Sequence, residues 1–372
     1  MPKKQAKEPG KKPKHRPPSK AAEPTLDRRK TSILGTVVYE YIATGEPVGS
    51  ATLTHKYNLG ISPATVRAEL ASLDGEGYLE QPHTSAGRVP SDRGYRYYVD
   101  RLMLPETLTQ EERERIRSEV HRASHQLESV VDHASRVLSI VTRNIAFAIA
   151  PRLSSQAFRH VELIWLSAGA AHFVLVTNLG VAAQATIEVA GPLTPEMLLR
   201  AANNFNQQLE GKALSEISID TLNDLARETP IPADLLRAIA SILAEHSEAE
   251  VERRLFAGGA HNLLDQQEFR DLRKLRAILD LLEDQQTLYQ LLRGTLHSEG
   301  AKVRIGHELP TADMSECSVV TIPYKVGDRN AGAVGILGPR RMQYARLIAL
   351  LNCMADSLNS LFQGESPEGA RN

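Results

Sequence analysis

The sequence predicts a multidomain protein of mixed helices and strands (α+β) that begins with a winged helix-turn-helix. The chain has 372 residues, enough for two or three domains, each with its own core. Three short helical patterns and a strand pair occupy residues 27–104, which is the element order of a winged helix. Strand patterns, a helical stretch and more strand patterns follow, and this order predicts an α+β domain interrupted by a separately packed segment.

Local signals place the three helices of the N-terminal part. Apolar residues recur at helical spacing over 28–43, and Gly45 ends that helix. A second short helix fits residues 50–57. The third helix, over 62–76, begins with Ser62 as N-cap directly before a proline, a combination typical of helix starts.

Charge is distributed unevenly along a chain whose total is nearly neutral. The formal net charge is −1, from 44 Lys and Arg and 45 Asp and Glu. Residues 1–30 hold eleven of the basic residues and three acids, a net of +8, whereas residues 31–104 have a net of −2. Residues 1–26 are Pro-rich with few large apolar side chains, so we expect a disordered basic tail there. This tail either contacts a polyanion or is solvated without a role, and the sequence leaves both open.

Cysteine usage and hydropathy bear on the compartment. Only Cys317 and Cys353 occur, without a CxxC motif or a disulfide framework, which is typical of a reducing environment. The N-terminus lacks the apolar region of a secretory signal. No apolar stretch reaches the ~18 residues that a membrane span needs. We therefore expect a cytoplasmic protein that does not associate with a membrane.

Apolar residues between 108 and 145 recur in alternating steps of four and three, which is a heptad pattern. The pattern predicts one long helical connector that can position the N-terminal part. Such a helix either packs on its own domain or pairs with another chain as a coiled coil, and packing on its own domain is favoured.

The rest of the chain is predicted to form an interrupted domain. Strand patterns at 159–190 and 301–338 are assigned to the same domain, and residues 265–293 are expected to form one long helix. The predicted boundaries are residues 105–190 and 259–362 for the connector and this domain, 191–258 for the insert, and 363–372 for a flexible tail.

The first turn of the third helix carries candidate contacts to DNA, because this turn enters the major groove in a helix-turn-helix. Ser62 and Thr65 can donate to phosphate, and Arg67 can pair with the edge of a guanine. Ala64 is small enough to allow a close approach. The alternative is that Ser62 only caps the helix and Arg67 is solvated, but the preceding helix and the following hairpin favour DNA contact.

A polar hairpin follows the third helix and is the predicted wing. Residues 78–81 and 88–90 have strand patterns on either side of a turn, which can straddle the DNA backbone or be an ordinary surface turn. Residues 91–100 interleave arginines with tyrosines. We expect these side chains mainly to pack against the domain, with phosphate contact as a secondary role. The remaining candidates for DNA contact are Ser50 and Thr52 on the second helix and Gln81, His83, Thr84, Ser85 and Arg88 on the hairpin.

The sequence contains no catalytic motif that we recognise. HExxH, GxSxG and the Walker A pattern are absent, and the 12 histidines lack metal-ligand spacing. Gly332, Gly335 and Gly338 are spaced GxxGxxG rather than GxGxxG and are interpreted as packing positions. We therefore expect no enzymatic activity, no metal and no cofactor.

Three segments match a known sequence pattern: TGEPVGS (44–50), SPATVRAELASLDGEGYLEQPHTSAGRVPSDRGYRYYVD (62–100) and GILGPRRMQYARLI (335–348). In these segments the chain resembles the HrcA family of heat-inducible transcription repressors. Together with the order of elements between them, the resemblance covers about residues 27–362. The basic tail has no counterpart in the pattern, so no role is transferred to it.

This resemblance implies a homodimer built from a winged helix, a GAF-like domain and a dimerising domain inserted into the GAF-like one. It implies binding to CIRCE, an inverted-repeat operator upstream of chaperonin and Hsp70-system genes. It also implies that the chaperonin GroEL promotes the active repressor, so that heat stress releases the operator. The alternative is a regulator that senses a metabolite through its GAF-like domain.

Overall fold

The computed structural model describes residues 26–57, 59–83, 87–122, 127–151, 156–228, 232–248, 255–327 and 329–363. Helices and strands are mixed over this part of the chain, which confirms the predicted α+β composition. They form three units, which we call the head (28–102), the inserted unit (158–248) and the sheet unit (the remaining elements).

The elements are numbered in chain order. The head contains α1 (Arg28–Thr44), α2 (Ser50–Lys56), α3 (Pro63–Gly75), β1 (Leu79–Glu80), β2 (Val89–Pro90) and α4 (Asp92–Tyr97). The inserted unit contains β4 (Phe158–Ser167), β5 (Ala170–Thr177), β6 (Gly180–Glu188), α7 (Pro195–Leu209), α8 (Ile219–Glu228) and α9 (Ala233–Glu248). The sheet unit contains α5 (Gln110–Arg122), α6 (Leu127–Thr142), β3 (Ile145–Ile149), β7 (Leu255–Gly258), α10 (Leu272–Glu283), α11 (Gln285–Arg293), β8 (Lys302–Ile305), β9 (Cys317–Val326), β10 (Arg329–Pro339) and α12 (Tyr344–Phe362).

The head follows its local sequence signals closely. The Asp27 carboxylate accepts a hydrogen bond of 2.8 Å from the backbone N–H of Lys30 and so caps α1. α1 ends at Gly45, which has a left-handed φ of 71°. At Gly87 a Cβ would lie 2.5 Å from the backbone carbonyl carbon of Val48, so only glycine fits there. This close approach holds the β1–β2 hairpin against the loop between α1 and α2.

A five-stranded antiparallel sheet forms the centre of the sheet unit, in the order β7-β3-β10-β9-β8. On β3, Ile145 and Phe147 belong to the core beneath α10 and α11. Ala146 and Ala148 belong to the core beneath α5, α6 and α12. Because both faces of the sheet are covered, β3 is apolar at every position.

The inserted unit has a sheet and a core of its own. Its strands pair in the order β4-β5-β6, and their buried side chains form one cluster with those of α7, α8 and α9. This differs from the predicted boundaries, which placed 159–190 with the strands of 301–338. A strand pattern specifies its faces but not its partner strand, and therefore the assignment needed the tertiary structure.

The pairing of β3 with β7 explains how the chain enters and leaves this unit. Ile149 and Leu255 are antiparallel register partners, so the chain departs from the sheet and returns to it at the same point. The segment between them is therefore an insertion that begins near residue 150, about forty residues before the predicted boundary.

The predicted long helix over 108–145 is two helices that fold back on each other. Glu119 Oε2 on α5 lies 3.7 Å from His133 Nε2 on α6. A continuous helix would separate these positions by about 21 Å, at 1.5 Å per residue. The apolar seam therefore faces the core of its own unit, with Ile116, Val120, Val130 and Ala134 buried. The prediction of one continuous helix was wrong, whereas packing on its own domain agrees with the favoured alternative.

The predicted helix over 265–293 is also divided. A 3₁₀ helix at Ala260–Asp265 precedes α10, and Asp284 separates α10 from α11. The Asp284 carboxylate accepts hydrogen bonds from the backbone N–H groups of Gln286 (3.1 Å) and Thr287 (3.3 Å). An aspartate at this position caps a new helix, and a period-based assignment misses such a break.

Replacing residues 150–254 by a two-residue Asn-Gly turn should leave the head and the sheet unit folded. The expectation follows from the register of Ile149 with Leu255, which a two-residue turn can join. We expect a cooperative thermal transition by far-UV circular dichroism. Removing residues 195–248 alone is the control, and it should misfold because it exposes the core face of β4–β6. A molten shortened chain would contradict the insertion geometry.

Candidate nucleic-acid interface

The first turn of α3 is presented on the surface of the head. Ser62 Oγ accepts a hydrogen bond of 3.1 Å from the backbone N–H of Thr65 and lies 2.9 Å from Thr65 Oγ1. Pro63 occupies the first position of the helix. Ser62 and Ala64 are exposed and Thr65 is half-buried. The structure therefore brings together the predicted residues of this turn, with the hydroxyls of Ser62 and Thr65 side by side.

One face of α3 is buried and the opposite face is exposed. Val66, Leu70 and Leu73 pack in the core of the head. The exposed face consists of Ala64, Arg67, Ala68 and Ala71, spaced at i, i+3, i+4 and i+7. Sequence reasoning missed Ala68 and Ala71, although the same helical spacing that identified the buried face identifies them. Three alanines beside one arginine make a flat helix surface that a groove can accommodate.

α2 is held against α1 by a buried carboxylate. Glu40, which is 5% exposed, accepts hydrogen bonds from Lys56 Nζ at 2.7 and 2.9 Å and from the hydroxyl of Tyr57. The hydrogen bonds from Lys56 and Tyr57 hold the pKa of Glu40 below its usual value, and burial together with Glu40 raises the pKa of Tyr57 to about 12. At the start of α2, Thr52 is exposed and Ser50 is half-buried. These hydrogen bonds to Glu40, which we call the Glu40 clamp, thus position the helix that precedes α3.

The predicted wing residues divide into three groups. Gln81 and His83 are exposed on the hairpin, next to β1. Thr84 and Ser85 lie outside the described residues. Arg88 differs from its predicted role, because its Nε lies 2.9 Å from the carboxylate of Asp74 at the end of α3 and its side chain is 18% exposed. The guanidinium of Arg88 is therefore used within the head, and it stabilises the position of the hairpin.

The tyrosines and arginines of 91–100 are structural, as expected. Tyr95 and Tyr97 are buried. Arg93 donates a hydrogen bond of 2.8 Å to the carbonyl of Glu76 and lies 4.4 Å from the ring centre of Tyr78. Its guanidinium is thus partly engaged within the head, but the residue is exposed, so phosphate contact by Arg93 stays a prediction.

Ion pairs fasten the head to the sheet unit. Asp92 accepts hydrogen bonds from Arg340 Nη1 (2.8 Å) and from the backbone N–H (2.9 Å) and Nδ1 (2.6 Å) of His307. Arg96 donates to the carbonyl of Val303 at 2.7 Å. Burial alone would raise the pKa of Asp92, but the hydrogen bonds from Arg340 and His307 outweigh it and hold this pKa below its usual value.

The apolar core also continues across this joint. Tyr95 of α4 packs edge-on against Tyr344 of α12, with ring centres 6.1 Å apart. The buried side chains of α1, α3 and α12 belong to the same cluster. The direction in which α3 faces is therefore fixed relative to the sheet unit.

Within the described ranges, no three His, Cys, Asp or Glu side chains are grouped so that they could hold a metal ion. The helices of the same ranges are too short or too polar to cross a membrane. The exposed surface of α3 offers hydrogen bonding from the hydroxyls of Ser62 and Thr65 and from the guanidinium of Arg67, together with a flat helix face.

Comparison with known proteins places the chain in a family. The model of the HrcA protein C-terminal domain matches residues 128–348. The heat-inducible transcription repressor HrcA of Moorella thermoacetica is 40% identical over 339 residues, which are 91% of this chain and 98% of that protein. The chain belongs to the HrcA family. The HrcA of Symbiobacterium thermophilum is 38% identical over 90% of this chain and 98% of its own length.

A solved structure supports the fold over nearly the whole chain. A crystal structure described as that of a hypothetical protein superposes with a TM-score of 0.58 and 27% identity, covering 92% of this chain and 99% of that one. The resemblance stated from the three sequence segments is thus confirmed. The prediction of a heat-inducible transcription repressor agrees with the names of the HrcA relatives.

Replacing Asp92 by Asn should destabilise the protein by about 2 kcal/mol at neutral pH, because partly buried charged hydrogen bonds are lost. The measurement is urea unfolding. Because the folded-state pKa of Asp92 is lowered, its contribution is present above the unfolded-state pKa and is lost as the pH falls through the folded value, below 3.8. The difference between Asp92→Asn and wild type should shrink there.

The matched control for this experiment is Asp100→Asn. Asp100 is paired with Arg96 at 3.3 Å, but its side chain is 52% exposed. Such a surface pair contributes less than about 0.5 kcal/mol. If both substitutions lowered the free energy of unfolding equally, the contacts of Asp92 with Arg340 and His307 (the Asp92 cluster) would not be what fastens the head.

Proposed function

We propose that the protein is a heat-inducible transcription repressor whose head is a winged helix-turn-helix, with α3 as the recognition helix in the major groove. The observation that supports this most is the exposed face of α3, which combines a capped N-terminus at Ser62 with Arg67 between small side chains. Arg can pair with guanine O6 and N7, and an alanine methyl can contact the methyl of thymine.

Among the arginines of α3, the hairpin and α4, Arg67 is the one without a partner among the described residues. Arg88 and Arg93 are engaged by Asp74 and by Glu76. Arg67 is exposed, and the described residues provide no ion pair for it. An exposed guanidinium on the outer face of a helix is available to a ligand. Within the part of the chain that the structure describes, Arg67 has no ion pair that must be broken before it contacts a ligand.

The electrostatics of the head require help from elsewhere in the chain. Residues 31–104 have a net charge of −2, whereas residues 1–30 have a net of +8. Attraction to phosphate and its salt dependence depend on lysines and arginines that replace counterions. In this proposal the basic N-terminal segment supplies most of that attraction and α3 supplies base recognition.

The operator is an inverted repeat of the CIRCE type, and the protein binds it as a homodimer. A twofold operator requires a twofold protein whose recognition helices are spaced by whole helical turns. We place the dimer contact on the inserted unit, with the sheet unit as the GAF-like domain. On the edge strand β4, the consecutive residues Ile164, Trp165 and Leu166 are 43–50% exposed. Such an apolar edge is typical of an interface.

Heat acts on this repressor through its stability. A dimer of marginal stability loses its folded population on warming, and the chaperonin GroEL shifts the balance back by refolding it. An operator gel shift with and without GroEL tests this proposal. Retention of the operator by purified dimer well above the heat-shock temperature, without GroEL, would contradict it.

Arg67→Ala should weaken operator binding by about five- to 150-fold per half-site and relax the preference at one base position, since a bidentate guanine contact contributes ~1–3 kcal/mol. Gel shifts on operator variants measure both effects. The control is Arg101→Ala, because Arg101 is exposed but lies outside α3 and the hairpin. Unchanged affinity and preference in Arg67→Ala would remove Arg67 from the recognition surface.

Leu166→Asp should convert the dimer to a monomer, because it places a charge in the apolar edge of β4. Light scattering after size-exclusion chromatography measures the mass. Leu279→Asp on α10 is the control, because Leu279 is 39% exposed but lies in the sheet unit. A monomer from the control, or a dimer from Leu166→Asp, would move the interface elsewhere.

A further inference from the structure

A cavity of about 430 Å³ lies at the joint between the head and the sheet unit. Its walls come from the end of α1, the end of α6, the 3₁₀ helix at Ala260–Asp265 and the first turns of α12. This volume lies within the range of small-molecule sites, which is about 300–1,000 Å³. The repressor mechanism proposed above makes no use of this cavity.

The lining combines an apolar wall with a cationic one. Val141, Leu347 and Leu350 are among its apolar residues, whereas Arg143 and Arg341 are among its three arginines. Asp265 is the one carboxylate of the lining. An organic acid, with a carboxylate joined to an apolar body, matches both walls.

Two of the three arginines form ion pairs with carboxylates that lie outside the cavity lining. Arg341 is bound by Glu268, and Arg346 is bound by Glu106 at 3.0 Å and by Glu112. These carboxylates do not belong to the lining. They weaken the positive field in the cavity, but they also fix the guanidiniums, which lowers the entropy lost on binding. We therefore expect binding of modest strength.

Arg143 adds a cation in an unusual conformation. Its φ is 52°, and it is the only residue other than glycine with positive φ in the described part of the chain. That conformation costs energy for any side chain with a Cβ, and such positions cluster at functional sites. The side chain is exposed, and the described residues offer its guanidinium no ion pair. Its charge is thus available to an occupant of the cavity.

Gln266 provides a separate indication of a missing partner. Its Nε2 donates to the carbonyl of Arg143 (3.1 Å) and to Oδ1 of Asn144 (3.2 Å), which fixes the orientation of the amide. Its Oε1 is buried and accepts no hydrogen bond from the described residues. A buried acceptor without a donor is costly. Among the described residues Oε1 is closed to a water-sized group, so a hydroxyl on the occupant would satisfy it after a small shift of the cavity wall.

The start of α12 adds polar groups to the same wall. Gln343 precedes the helix and makes no side-chain cap. The first amides of an uncapped helix favour a negative group. The N–H of Tyr344 already donates to the carbonyl of Met342 at 2.9 Å, so the start of α12 contributes its dipole rather than that amide. Arg143 is thus complementary to a carboxylate, and Gln266 to a hydroxyl.

We propose that this cavity binds a small hydroxylated organic acid and that binding changes the affinity of the head for DNA. The second part rests on the proposed repressor function. The coupling follows from the location, since Ile42 of α1 lines the cavity and a Cβ at Gly45 would lie 3.4 Å from the guanidinium of Arg341. An occupant therefore contacts both sides of the joint.

The first experiment measures binding of 6-hydroxy-2-naphthoate to the full chain by calorimetry, without DNA. We expect a Kd on the order of 1 mM from the usual affinity per atom of such ligands. Lacking the carboxylate, 2-naphthol should bind at least fivefold more weakly, and 2-naphthoate should also bind more weakly for want of the hydroxyl. No binding of the hydroxy acid at 10 mM would overturn the proposal.

Three substitutions test whether the acid binds in the cavity. Val141→Trp should abolish binding, because Val141 lines the cavity. Ile140→Trp should leave it unchanged, since this neighbour is 71% exposed and is not in the lining. Arg143→Gly should weaken binding at least fivefold while raising the melting temperature, because glycine relieves the positive φ. Equal binding by all three variants would overturn the site.

The second experiment repeats the operator gel shift with saturating hydroxy acid. We expect a change of at least threefold in operator affinity for wild type and none for Val141→Trp. If the acid binds but the protein does not bind DNA, the repressor proposal fails while the site stands. If operator binding is normal and unaffected by bound acid, the regulatory part is overturned.

Discussion

One continuous apolar core, shared by the head and the sheet unit, determines where α3 faces. Tyr95 and Tyr344 meet at its centre, and the buried faces of α1, α3 and α12 join it. A head attached by a flexible linker would sample many orientations. Here a reorientation of α3 would break buried contacts. Burial of each apolar side chain in these contacts stabilises the fold by about 2 kcal/mol. Any factor that changes the orientation of α3 from the sheet unit must therefore act through this joint.

Most charged side chains of α2, the hairpin and α4 that the structure describes are paired within the protein. The Glu40 clamp positions α2, the Arg88–Asp74 pair positions the hairpin, and the Asp92 cluster fastens α4 to the sheet unit. Partly buried pairs of this kind specify geometry more than they add stability. With those groups engaged, the outer face of α3 carries a guanidinium and little else. The head thus offers a specific surface, and in the proposed function the basic N-terminal segment supplies the general attraction to DNA.

The inserted unit has its own sheet and core, apart from the core of this joint. It leaves and rejoins the sheet between Ile149 and Leu255 and keeps its own core beneath β4–β6. A contact between two copies through such a unit can bring two heads together without disturbing the packing that orients either one. The cavity at the joint lies outside that unit, so a contact made by the inserted unit and a ligand in the cavity would involve different parts of the chain.

The sequence by itself determined the features that depend on neighbouring residues. Ser62 before a proline marks the start of α3, Gly45 ends α1, and the spacing of apolar residues identifies the buried face of α3, because caps and periodicity act within a few residues. Tertiary structure alone decided the partners. It separated β4–β6 from the main sheet, folded α5 against α6 and turned Arg88 inward towards Asp74. These outcomes depend on contacts between distant segments, and neither a strand pattern nor an arginine specifies which distant group it meets.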